Sequence, residues 1–273
     1  MQNDGYNPSL IHACHNRTVV IDAKLGEREN KQLNVVNDHG LRNVHLYEGE
    51  DWIDIREAIG DLTKSFLCLN EVYPKGFLIP KRFIGENIIH LPTIKTHVFT
   101  TTTGAMKNAF GGLLNERRHW THPVIHEALV DLLMIQKKIH RGVFAVMDGT
   151  FSGDGPGPRC MTPHVKNIIL ASSDQVAIDA VAAKLMGFDP LSIKFIRLAH
   201  DAGLGCGDPR AIKLVGDKTA AAQNWHFVGP FRHMAFASRM QHKIYWGPLR
   251  RPLEWSLKTV LAPWAYLASV LYH

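Results

Sequence analysis

The chain has 273 residues, of which 45% are hydrophobic and 21% charged. That is enough for one sizeable core, or a core with an appendage, and it excludes a disordered composition. The net charge is +6, but it is unevenly placed. From Phe231 onward Arg232, Arg239, Lys243, Arg250, Arg251 and Lys258 face one acid, Glu254, a surplus of five. The body is therefore close to neutral, which argues against a nucleic-acid-binding face on the core.

The first 17 residues are polar and irregular, with His12, Cys14 and His15 close together. They lack the charged start and apolar run of a secretory signal. Thr18 to Asp22 and Val44 to Glu48 read as strands. Trp52, Ile53, Ile55, Ala58, Ile59 and Leu62 have helical spacing. Phe66 to Leu69 is expected as a short strand and Gly76 to Pro80 as an edge segment. The apolar run Ile88-Ile89-His90-Leu91-Pro92 reads as a buried strand ending at a proline. Lys95 to Gly104 is expected as a loop, followed by a helix from Ala105 that Gly111 and Gly112 stop. Pro123 suits the first turn of a helix reaching about His140.

Gly142 to Asp148 is nearly all apolar, as in a strand covered on both faces. The glycines and prolines from Gly149 to Pro158 predict a rigid loop after it. They do not make a dinucleotide fingerprint, which must open a helix. Val165 to Ala171 is a further strand. Ser172 and Ser173 are cap candidates for a helix from Asp174 to Met186, stopped by Gly187. Asp179 lies inside that helix with no local reason for a carboxylate. A helix over Leu191 to Ala202, a glycine-rich loop from Gly203 to Asp208 and a strand over Ala211 to Val215 complete the body.

These elements predict an α/β fold: a three-layer sandwich with a mostly parallel sheet over residues 1–218. Residues 219–273 form a basic, aromatic, helical C-terminal extension. Its apolar stretch is too short to span a bilayer. It suits a helix lying on an anionic membrane surface, or equally one packed on the core or on a second copy of the chain, as in a homodimer.

The chemistry concentrates in KTHVFTTTTGAMKNAFGG, residues 95–112. A small-molecule site is expected where strand ends meet helix starts. Lys95, Thr102, Thr103, Gly104 and Asn108 are candidates for substrate binding, with the helix start offering free N–H groups to an anion. His97, Lys107, Asp148 and Asp154 are candidates for catalysis. His97, His122, His126 and Cys206 are candidates for holding a metal ion. The four cysteines, Cys14, Cys68, Cys160 and Cys206, form no C-x-x-C pair. Reduced thiols in the cytoplasm are the expectation, with peripheral membrane contact through residues 231–273 left open. A metal or cluster site built from all four is the alternative.

Four motifs in this order, LPTIKTHVFTTTTGAMKNAFGG, VMDGTFSGDGPGPR, ASSDQVAIDAVAAKLMG and AHDAGLGCGD, resemble the family known as domain of unknown function 362 (DUF 362). The resemblance covers about Ile88 to Gly216. Its members usually begin with a strand carrying a Lys-Pro-Asn signature, which is absent here; a missing or replaced first βα unit is the implication. Some members carry ferredoxin-like segments, which implies metal or iron–sulfur redox chemistry around them; this chain has no such segment. A weaker similarity links it to the N-terminal domain of nickel-pincer lactate racemase. In that family a histidine stands ten residues before the lysine that holds the cofactor, as His97 does before Lys107. Three functions follow as expectations: an enzyme acting on a small anionic or polyhydroxylated molecule by metal-assisted redox or isomerisation chemistry, an electron-transfer metal protein, or a membrane-associated binder of anionic headgroups.

Overall fold

The computed structural model describes residues 4–17, 23–158, 161–234, 236–248, 250–256 and 260. The expected strand over 18–22 lies outside them. In chain order the elements are β1 (His12–His15), α1 (Ala23–Glu29), α2 (Gln32–Asp38), β2 (Arg42–His45), β3 (Trp52–Asp54), α3 (Ile55–Ile59), α4 (Leu69–Val72), β4 (Leu78–Pro80), β5 (Asn87–His90), β6 (Thr93–His97) and β7 (Thr101–Thr103). There follow α5 (Ala105–Leu113), a 3-10 turn (Glu116–Val124), α6 (Ile125–Ile139), β8 (Gly142–Asp154), β9 (Thr162–Ser172), α7 (Gln175–Met186), α8 (Lys194–Asp201), α9 (Lys218–Ala221), α10 (Phe236–Tyr245) and α11 (Arg250–Ser256).

The α/β class is as expected, and the sheet is mixed rather than mostly parallel. Strand β8 runs parallel to β5 and β6 and antiparallel to β9, while β6 and β7 form an antiparallel hairpin. Strands β1 and β2 form a small parallel pair, β3 and β4 an antiparallel one. Helices α5 and α7 pack on one face of the main sheet, burying Ala145, Met147 and Ile168, with α6 and α8 packed against them. Phe144, Val165 and Ile169 alternate with these and stay exposed. Among the described residues the architecture is thus a sheet with one helical layer.

Several boundaries differ from expectation, each for a physical reason. Trp52 to Asp54 pair with β4, and the helix begins only at Ile55, where Asp54 caps it by accepting from the Arg56 N–H. Phe66 to Leu69 is a turn into α4, because the buried Asp131 carboxylate accepts from the N–H groups of Leu67, Cys68 and Leu69. The expected loop over Lys95 to Gly104 is the β6–β7 hairpin. Gly111 and Gly112 lie inside α5 rather than ending it. Pro123 closes the 3-10 turn, and α6 starts at Ile125. Strand β8 runs on to Asp154 through the glycines read as loop. Residues 211–215 form no strand. Asp174, rather than the preceding serines, caps α7, accepting from the Val176 and Ala177 N–H groups.

The start of the extension belongs to the core. The Trp225 N–H donates to the Leu185 carbonyl, the Phe227 N–H to that of Met186, and Phe227 is buried.

Asp179 also finds its reason. From the middle of α7 its carboxylate reaches the start of α5 and accepts from the Ala105 N–H at 2.6 Å and the Met106 N–H at 3.1 Å. A Cβ on Gly104 would lie 2.1 Å from the Asp179 Oδ1, so residue 104 must lack one. Asp179→Ala leaves two buried N–H donors unpaired and is expected to cost about 3 kcal/mol. Gly104→Ala is expected to cost a similar amount alone, but less than about 1 kcal/mol in the Asp179→Ala background, where the clash is gone. Urea denaturation of the four proteins checks this; strictly additive losses would show that the carboxylate is not what Gly104 makes room for.

Candidate functional site

The candidate site grows from the β6–β7 hairpin. Lys95 and His97 stand two apart on β6 and so project to one side of it. The hairpin is tight: Thr101 adopts φ +66°, a left-handed conformation that strains a β-branched residue. Thr96 fixes β6 to the glycine loop, its hydroxyl donating to the Gly155 carbonyl at 2.6 Å. A Cβ on Gly157 would lie 2.1 Å from the Thr96 carbonyl oxygen, so the loop's glycine permits that approach.

Helix α5 brings Lys107 to the same place, and the 3-10 turn before α6 brings Arg118 and His122. Lys107 lies within electrostatic reach of Lys95 and Arg118, and His97 within reach of Lys107, His122, Lys95 and His126. Aromatic rings pack around this cluster. Phe99 stands 5.7 Å from the His97 ring and 5.3 Å from that of His122; Phe110 is 5.8 Å from His122. Tyr245 of α10 stacks on His122 from the far end of the chain. Lys107 sits over the Phe110 ring, 5.4 Å from its centre. Among the described residues neither Lys95 nor Lys107 forms an ion pair with a carboxylate.

This setting weakens proton binding throughout. Burial pushes the Lys107 ammonium down to about 8, with Lys95 and Arg118 adding to the effect, and burial lowers Lys95 as well. His97, only 5% exposed, is held well below its ordinary value by burial and then by Lys107. His122 falls to about 3 for the same two reasons, and His126 to about 4, chiefly through burial. The three imidazoles are therefore neutral at pH 7. Their hydrogen bonds assign the tautomers. The Phe99 N–H donates to His97 Nδ1 at 3.1 Å, which puts the His97 proton on Nε2. His122 Nδ1 lies 3.0 Å from the His119 carbonyl and donates to it, which leaves Nε2 as a bare acceptor. His97 is thus a hydrogen-bond donor and His122 the potential base.

The structure gathers Lys95, His97, Lys107, His122 and His126; Thr103 pairs with Lys95 across the hairpin, and most of the other candidates have partners of their own. Asp154 accepts from the N–H groups of Gly155, Val228 and Gly229 and so anchors the chain beyond the core. Asp148 is exposed and accepts from the Thr150 N–H. Asn108 turns to His90 Nδ1, and the Thr103 hydroxyl faces the carbonyls of Thr93 and Lys95. The buried Thr102 hydroxyl has no hydrogen-bond partner among the described residues. Gly104 and the start of α5 are taken by Asp179, so that helix end offers no place to an external anion.

Cys206 donates its amide to Asp174, and its thiol faces the Asp208 carbonyl at 3.5 Å. Cys68 is buried in the main core and Cys14 is exposed at β1; Cys160 lies outside the described residues. Among those residues no three His, Cys, Asp or Glu side chains are grouped to hold a metal ion. Arg118, Phe99 and Tyr245 were not among the candidates. The basic run NERRHWTH signalled the first; nothing local signals that Tyr245 will meet a ring some 120 residues earlier.

An α/β core whose hairpin, helix and turn assemble an aromatic-walled cationic cluster defines the class. Over residues 9–184 the chain matches the family described as Domain of unknown function (DUF362) and belongs to it. The match takes in the stretch before Ile88, where the motifs give no signal, and ends at residue 184. A thylakoid-associated protein of Synechocystis sp. is 27% identical over 133 residues, 48% of this chain and 40% of that protein. The chain thus matches well under two thirds of that relative's length. No solved structure matches the chain.

The buried neutral histidines set a pH response. A histidine with a lowered folded value contributes an instability that is absent above the unfolded value near 6.5 and grows as pH falls toward the folded value. For His122 that window runs from about 6.5 to about 3. The urea midpoint is expected to drop between pH 7 and pH 4.5, and to drop less in His122→Phe, which keeps a ring against Phe99 and Tyr245. An equal drop in the variant would mean that His122 takes up its proton freely in the folded protein.

Proposed function

We propose that this protein binds a small anion, of phosphate or carboxylate type, at the cluster of Lys95, His97, Lys107 and His122, and that it acts on the bound molecule by proton transfer. One observation carries the reading: two lysines share a desolvated, aromatic-walled corner with no carboxylate paired to either among the described residues. Charges of one sign gathered away from water are costly unless a counter-ion joins them. An anion would accept from both ammonium groups and from the His97 Nε2–H, while the His122 Nε2 lone pair would take or return a proton. In this reading His122, rather than His97, is the general base, because the His97 Nδ1 lone pair already faces the Phe99 N–H.

A peripheral membrane location is a second reading for this chain. It is supported by the relative, a thylakoid-associated protein, and by the basic, aromatic extension. No helix among the described residues is long and apolar enough to cross a membrane.

The anion reading is tested by calorimetric titration and thermal shift with a panel of small phosphates and carboxylates. A binding anion raises the unfolding midpoint by mass action. Lys95→Ala and Lys107→Ala are each expected to weaken binding by roughly tenfold or more. Because the empty-site Lys107 loses its proton near 8, affinity is expected to fall as pH rises above that value. The proposal is lost if no anion in the panel binds at pH 7, or if both lysine variants bind as the parent does.

A further inference from the structure

Helix α10 has two faces of different character. Inward, Tyr245 is buried against Phe99 and His122. At 100° per residue, Phe236, Arg239, Met240 and Lys243 fall on a shared arc of roughly 100° on the side away from Tyr245. All four are exposed, Phe236 by 73%. The helix contains no acidic residue. Trp255 of α11 adds a large ring that is 70% exposed. Apolar side chains in solvent are normal when scattered. Here they alternate with cations along a single stripe that the core does not cover.

We infer that this outward arc of α10 is a docking surface for an anionic lipid bilayer. Such a bilayer complements the arc in both shape and charge. An interfacial helix sinks Phe and Met into the boundary between headgroups and acyl chains, while Arg and Lys on the same arc extend their stems to lipid phosphates. A protein groove that took Phe236 and Met240 would have to desolvate Arg239 and Lys243 or supply them with carboxylates; a bilayer holds both environments in its thickness. The helix is only ten residues long, so it lies on the surface rather than crossing it. The contact is linked to the cationic cluster through Tyr245, which puts the proposed anion site one helix diameter from the membrane. This goes beyond the second reading above by assigning the surface and the lipid charge, and it rests on that reading.

The test is co-sedimentation of the full chain with vesicles of phosphatidylcholine alone and of phosphatidylcholine mixed with phosphatidylglycerol. The expected result is binding to the mixed vesicles that weakens as salt rises. Arg239→Glu with Lys243→Glu, and separately Phe236→Ser with Met240→Ser, are each expected to lower the partition coefficient at least tenfold. An unchanged near-ultraviolet dichroism spectrum, with Tyr245 still seated, accompanies both variants if the arc is a free surface; a changed spectrum means that these side chains pack internally and overturns the assignment. Absence of binding to either vesicle overturns the membrane reading and this inference together. Binding to mixed vesicles that neither double variant reduces leaves the membrane reading standing and removes α10 as the contact.

Discussion

The contact between Asp179 and the start of α5 holds the arrangement together. Helix α5 must begin at a fixed height for Lys107, in its first turn, to reach the corner beside β6. Its first N–H groups are buried and would be costly unpaired. The carboxylate supplied from α7 satisfies them and locks the two helices in register. Burial pushes this carboxyl up to about 7, against the pull of its two N–H donors and with help from Asp174. A group held at such a cost marks a place where geometry is preferred to stability. It also explains why a helix start that could have bound an external anion does not: the protein has filled it with its own.

The same device recurs. Asp131 leans from the interior of α6 to organise residues 67–69, Asp174 caps α7 and holds the Cys206 amide, and Asp154 ties the end of β8 to Val228 and Gly229. Each carboxylate serves backbone N–H groups distant in sequence. These four acids are thereby spent on architecture. Lys95 and Lys107 are left within reach of one another, and in the proposed function that residual charge is what draws an anion.

How far the sequence could be read follows from which of these partners are local. Helices α6, α7 and α8 were legible because each carries an apolar face or run of helical length, and because Gly187 stands at the end of α7. The cluster of Lys95, His97 and Lys107 was legible because hairpin and helix are consecutive. Strand β8 was cut short because glycine normally breaks a ladder. Here Gly149 is required by a close neighbour instead: a Cβ would lie 2.9 Å from the Ile168 carbonyl oxygen, while one on Gly153 would press on the Met161 side chain, 2.6 Å from its sulfur. Residues 66–69 looked like a strand because nothing nearby reveals Asp131, over 60 positions on. Asp148 and Asp154 looked catalytic because a carboxylate in a glycine-rich loop is informative only once its acceptor duty is known.

The balance at the corner can be argued from sign alone. Without an occupant, Lys107 lowers the proton affinity of His97 and His122, and Lys95 and Arg118 lower that of Lys107. Every interaction there between titrating side chains of these five residues is repulsive when they are charged. One attraction built in is the face of Phe110 beneath Lys107, which offsets a small part of the cost. An arriving anion reverses all these signs at once: it raises the proton affinity of the lysines, favours protonation of His122, and receives the His97 donor. Binding and proton uptake are therefore coupled in the same direction. In the proposed function, a base that becomes stronger only when its ligand is present would stay inactive in the empty protein and be switched on by occupancy, with no movement of the fold required.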